Sequence, residues 1–253
     1  MATYAWDIPS YRQGHRFSQT SEFYDAANTR FLDRAGYTRF GNNHCGVAVG
    51  TPAFSNHGAN SREGLLLDNS CQMQFLPAIP WQGTMLIVFK PTLVSAAVSI
   101  YPWLFGESGT SSSNGHLLLN RASAVNSIQC RTPAAVLSRS ITGLTSGNIT
   151  IAAFSISQVD RKIYSTQDGV TITATSAAAG TTSGEAVAIG GFRNSVITNR
   201  FCRLGANANS GSAANATDYL HLFEQHFWKG DVLNNSATKL QAFIASLKTY
   251  YGI

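Results

Sequence analysis

Few side chains in this 253-residue sequence are of types and spacings that do chemistry. Hydrolysis of a glycosidic bond needs two carboxylates roughly 5 to 10 Å apart, one of them with a raised pKa. A strand meets that need by setting acidic residues two apart on one face. Glu224, Asp218 and Glu107 are the nearest candidates, and each stands alone. The spacing therefore predicts no catalytic pair. Nucleophilic catalysis fares no better, because no Gly-x-Ser-x-Gly elbow occurs and the only cysteine beside a histidine is in His44-Cys45. His-Glu-x-x-His is absent, and His221 and His226 stand five apart in a strand pattern, which predicts opposite faces and no shared metal. Cys45, Cys71, Cys130 and Cys202 are far apart without a Cys-x-x-Cys pair, so they read as free buried thiols.

Sugar recognition asks for an aromatic platform beside polar donors and acceptors. Trp103, just before the polar loop 106–115, with Asn114 and His116 at the loop's far end, is the candidate ligand-binding group. The plainer reading makes Trp103 a core anchor after Pro102.

The elements that must position these residues are strands. Thr84 to Lys90 is a near-continuous apolar run before Pro91 and predicts a central core strand. Residues 64–68 and 71–76 read as short strands about an Asp68-Asn69-Ser70 turn. Residues 99–105 and 116–120 form a hairpin about the ten-residue loop, 149–156 is a further strand, and 161–173 is a hairpin turning at Asp168-Gly169. A strand pattern precedes the second long loop, over 186–190. Tyr219 to Trp228 is a buried strand stopped by Lys229-Gly230-Asp231. Asn234-Asn235-Ser236 then offers N-cap oxygens to a helix with Leu240, Phe243, Ile244, Leu247 and Tyr251 on one face and Gly252 as its stop.

Residues 1–60 show neither period 2 nor period 3.6. Their aromatics, Tyr4, Trp6, Tyr11 and Phe17 among them, predict an irregular arm that buries them on its own domain or on a partner. The remainder, 61–253, is the domain proper. With 44% apolar residues it can fill a core, while charged residues are only 12%, about half the ~25% usual in soluble domains. The net charge of +5 is scattered, and no basic run exceeds Arg161-Lys162, which argues against nucleic acid. No stretch of about 20 apolar residues occurs, and Met1 to Asp7 lacks a basic and apolar leader, so neither membrane insertion nor secretion is expected.

Several pieces in order resemble the laminin G-like, concanavalin A-like jelly rolls found in bacterial and phage proteins. They are Val88-Phe89-Lys90-Pro91, Leu104-Phe105-Gly106, Tyr164 to Gly169, Ile189-Gly190-Gly191 and the strand, turn and helix at the end. The resemblance implies an all-β fold, a two-sheet antiparallel sandwich with one C-terminal α-helix, and glycan or protein binding as its business. It also implies a structural role for Glu224, and it admits a loop-held Ca2+ for which Asp218 is the candidate. Related hydrolases carry Glu-x-Asp-x-x-Glu on one strand, which this sequence lacks. Together with the aromatic arm and the polar, low-charge surface, these features lead us to expect a non-enzymatic virion protein of a bacteriophage, a decoration, collar or tail appendage. Its partners would be other virion proteins through the arm, bacterial surface glycans, and further copies of itself. A stand-alone lectin is the alternative, and a polysaccharide-degrading enzyme the least favoured reading.

Overall fold

The computed structural model describes residues 29–30, 44–49, 54–57, 62–67, 72–76, 83–95, 98–105, 115–122, 124–131, 137–157, 160, 162–176, 202–204, 218–228, 232–235 and 237–253. In chain order the strands are β1 (Thr29–Arg30), β2 (His44–Val49), β3 (Phe54–His57), β4 (Arg62–Leu67), β5 (Gln72–Leu76), β6 (Gly83–Thr92), β7 (Val98–Phe105) and β8 (Gly115–Ala122). There follow β9 (Val125–Arg131), β10 (Ser138–Thr142), β11 (Thr150–Ser157), β12 (Lys162–Thr166), β13 (Thr173–Ser176), β14 (Cys202–Leu204) and β15 (Tyr219–Trp228). Two helices close the chain, α1 (Val232–Asn235) and α2 (Ala237–Tyr251). One eight-stranded sheet runs β13-β12-β11-β6-β15-β4-β3, with β1 also paired to β15, and a seven-stranded sheet runs β10-β9-β8-β7-β14-β5-β2. The fold is a two-sheet antiparallel jelly-roll sandwich with a C-terminal helix.

The apolar run of β6 has its reason in this arrangement. Leu86 and Val88 face α2, whereas Ile87 and Phe89 alternate toward the second sheet, so all four are buried. The strand runs through Pro91 to Thr92, one residue beyond the stop expected from the proline. Residues 64–76 do not make a hairpin, because β4 joins the first sheet and β5 the second. Within residues 1–60, three strands are hydrogen-bonded into the sandwich: β1 on β15, β2 on β5 and β3 on β4. Tyr4, Trp6, Tyr11 and Phe17 lie outside the described residues, as does the strand expected at 186–190.

Helix α2 lays Leu240, Phe243, Ile244, Leu247, Tyr250 and Tyr251 on the outer face of the first sheet, against Leu86, Val88, Ile151, Ala153 and Phe223. Fully burying each large side chain contributes about 1.5–3 kcal/mol, so packing, more than helix propensity, holds the helix there. Gly252, at φ 71°, ends it, and the Ile253 N–H donates back to the Lys248 carbonyl at 3.0 Å, the closing bond of a Schellman turn. Before it, the asparagines expected as caps sit inside α1, whose Val232 N–H donates to Thr84 Oγ1 at 2.9 Å. Thr84 also shares a 2.7 Å bond with Ser155, so a buried polar pair ties β6, β11 and α1 together.

Candidate functional site

The carboxylates are placed first, since chemistry would start from them. Glu224 is fully buried between β15 and α2, where its Oε1 accepts the Tyr251 hydroxyl at 2.7 Å and its Oε2 lies 2.7 Å from His226 Nε2. His226 in turn stands edge-on to Phe243, with ring centroids 5.0 Å apart. A carboxylate so enclosed fastens the last turn of α2 to the sheet. A bulge between Leu222 and Glu224 makes this possible. By register His221, Glu224 and His226 oppose Lys90, Val88 and Leu86, three residues of one face. The two histidines therefore share a face of the sheet, contrary to the alternation expected from their spacing, because the bulge adds the odd residue that shifts the pleat.

Asp218, the calcium candidate, is buried, and its Oδ1 accepts the N–H groups of Val94 and Ser95 at 2.6 and 2.9 Å while Oδ2 accepts the Ser95 hydroxyl. It pins the turn after β6 to the start of β15. Among the described residues no group of three or more His, Cys, Asp or Glu side chains gathers in the manner of a metal site. Cys130 is free and buried in the sandwich, and burial pushes its thiol pKa up, away from thiolate chemistry. Cys45 and Cys202 both oppose Phe75 from either side, so their Cα positions are two strand spacings apart, roughly 10 Å, beyond the ~7 Å reach of a disulfide.

An open polar cavity lies at the flank of the sandwich. There β10, the edge of the second sheet, faces β12 and β13, the edge of the first, across a cleft of about 370 Å³. Its lining includes Arg139, Thr142, Ser165, Thr166, Asp168 and Thr173. Arg139 opposes the buried Cys130 and so takes the inner face of β10, from which its Nε donates to Ser165 Oγ at 3.0 Å and its Nη2 to Thr173 Oγ1. Ser165 and Thr173 are themselves a cross-strand pair, 3.0 Å apart between hydroxyls. Where the core would otherwise continue, a guanidinium bridges the two sheets.

Asp168 enters from the β12–β13 turn. Its Oδ1 accepts the N–H groups of Val170 and Thr171, both at 2.8 Å, and the Thr166 hydroxyl at 3.0 Å. Partial burial works to raise its pKa, but these hydrogen bonds, with the Thr171 hydroxyl, outweigh it and bring the group down to about 2. Gly169, at φ 77°, follows, and a Cβ there would stand 2.5 Å from Gln241 Cα. The turn thus rests on the backbone of α2, which fixes Asp168 from behind. The Asp-Gly turn was legible in the sequence, but its place in a cleft was not, since Arg139 is 29 residues away and on the other sheet.

Of the residues expected from sequence, Trp103 is paired with Leu117 and His116 with Leu104 in the ladder between β7 and β8. Asn114, with the rest of residues 106–114, lies outside the described residues.

No family model matches the chain, and no curated protein matches it. Among solved structures it is similar to domain 4 of AbnA, a GH43 extracellular arabinanase from Geobacillus stearothermophilus in complex with arabinotriose. That likeness has 13% identity and a TM-score of 0.49 over 87% of this chain and 98% of that one. It is also similar to the enzymatically active domain of tailspike protein 2 of bacteriophage CBA120, at 17% identity and TM-score 0.47 over 78% of this chain and 30% of that one. A third is the CBM40 of the IT-sialidase of Ruminococcus gnavus, at 12% identity and TM-score 0.43 over 79% of this chain and 96% of that one. The chain spans less than a third of the tailspike structure. The jelly-roll assignment rests on this chain's own strand order and register.

Proposed function

We propose that this protein is a non-catalytic glycan-binding module, a laminin G-like jelly roll that meets bacterial surface polysaccharide while carried on a bacteriophage particle. The observation that carries the binding half is the cleft at the sheet edges, open, rigidly framed, and lined by hydroxyls with one cation and one anion. Such a lining offers donors and acceptors in the mixture that a polyhydroxylated ligand needs. The non-catalytic half is supported by Glu224 and Asp218, whose buried oxygens are already engaged in holding the fold. The virion half is supported by the order of the laminin G-like motifs, the low-charge composition and the aromatic residues of the arm over 1–60, Tyr4, Trp6, Tyr11 and Phe17 among them, which would attach to a larger particle. In that setting the module acts outside a cell, as a decoration, collar or tail appendage in several copies.

The test passes the full chain over immobilised bacterial surface polysaccharides while assaying the released fluid for new reducing ends. Retention with no release supports the proposal. No retention on any polysaccharide, or retention with chain cleavage, overturns it. Mass spectrometry of purified phage particles then decides the virion half, which fails if the chain is absent from particles that its own genome encodes.

A further inference from the structure

Resting on the glycan reading, we infer that the cleft between β10 and the β12–β13 turn takes one uncharged sugar unit by two neighbouring hydroxyls, held between Asp168 Oδ2 and Arg139 Nη1.

The two side chains come from different sheets and are each fixed before any ligand arrives. Arg139 spends Nε and Nη2 on Ser165 and Thr173, which orients the guanidinium plane and leaves Nη1 without a partner among the described residues. Asp168 gathers both backbone donors and the Thr166 hydroxyl on Oδ1, so no backbone N–H engages Oδ2, and the Thr171 hydroxyl beside the carboxylate can turn to share it with a ligand. A carboxylate oxygen accepts only, and a guanidinium donates only. Neighbouring sugar hydroxyls do both, so one can donate to Oδ2 while the other accepts from Nη1, and the hydroxyls of Thr142 and Thr166 in the lining adapt to either role. Because the fork and the turn are set in advance, little ordering cost falls on binding.

Charge argues for a neutral ligand. One cation and one anion line the cleft, so no net field draws in a carboxylate or phosphate, and such a group beside Asp168 would be repelled. With its pKa at about 2, Asp168 keeps that charge at any ordinary pH. Size agrees, since about 370 Å³ is at the small end of ligand pockets and suits one or two sugar rings.

The test is competition. Full-length protein retained on its polysaccharide is challenged with methyl glycosides of neutral hexoses, their monodeoxy analogues and the matching methyl uronates. Displacement by the neutral hexosides is expected, at least tenfold weaker once either hydroxyl of one neighbouring pair is removed, and at least tenfold weaker for the uronates. Asp168→Asn keeps an acceptor for Val170 and Thr171 but puts an amide in place of Oδ2, so it loses tenfold or more in polysaccharide binding with its circular dichroism unchanged. Arg139→Lys, which lacks the fork, loses a similar factor. If both variants stay folded and bind as the parent does, or if uronates compete as well as neutral hexosides, this site assignment is wrong and the glycan reading survives. If the parent chain retains no polysaccharide, both fall together.

Discussion

Glu224 and Asp168 are both carboxylates held by hydrogen bonds, and they differ in what surrounds them. Beneath α2, Glu224 is sealed with Tyr251 and His226 among apolar side chains, and none of the three is exposed to solvent. At the flank, Asp168 is held by backbone N–H groups in a cleft that opens outward. The same chemical group does fixed structural work where water is excluded, and stands within reach of a ligand where it is not. The carboxylates of this sandwich thus divide by access, not by residue type.

The comparison can be broken most directly at Glu224. Glu224→Ala takes the buried carboxylate away from the Tyr251 hydroxyl and His226, at a cost of about 3–5 kcal/mol, which in a chain of this length lowers the melting temperature by roughly 10 °C. Calorimetry checks it, and a stable variant that has lost polysaccharide binding would reverse the two roles. Gly169→Ala comes next, since it forces a left-handed residue and a Cβ onto Gln241. We expect about 2–3 kcal/mol of destabilisation, measured by urea unfolding, together with weaker polysaccharide binding as the turn lifts from α2. Tyr251→Phe removes one bond to Glu224 and should cost about 1–2 kcal/mol, with binding untouched.

The smallest effect belongs to acid. Asp168 is depressed from 3.8 to about 2 on folding, so its contribution is present above pH 4 and is lost as pH falls through 2. Thermal melts of the parent should therefore decline more steeply over that window than those of Asp168→Asn, which has no proton to take up there. Equal slopes would show that the turn does not depend on the charge.

Much of the frame was legible along the chain. Apolar β6, the long β15, the Asp168-Gly169 hairpin and the face of α2 all announce themselves by local pattern. Strands β9 and β10 do not, for reasons in their residues. Their connection to β8 turns at Ala124, a non-glycine at φ 66°, and β9 buries Asn126, Ile128 and Cys130 while exposing Val125. Asn126 can be buried because its Nδ2 donates to the Leu144 carbonyl at 2.9 Å. An inward asparagine and a turn without glycine conceal a strand from any reading of alternation. Since Arg139 lies on β10, half of the proposed site was concealed with it.

The sequence by itself determined that this is a strand-rich sandwich closed by one helix, because side-chain periodicity and turn chemistry act over a few residues. It also excluded paired catalytic carboxylates on a single strand, for the same local reason. Only the tertiary structure decided which carboxylate is sealed and which is open, since that depends on a bulge in β15 and on two sheet edges meeting. Arg139, Ser165 and Thr173 meet through packing between distant segments, and no local pattern along the chain encodes such a meeting.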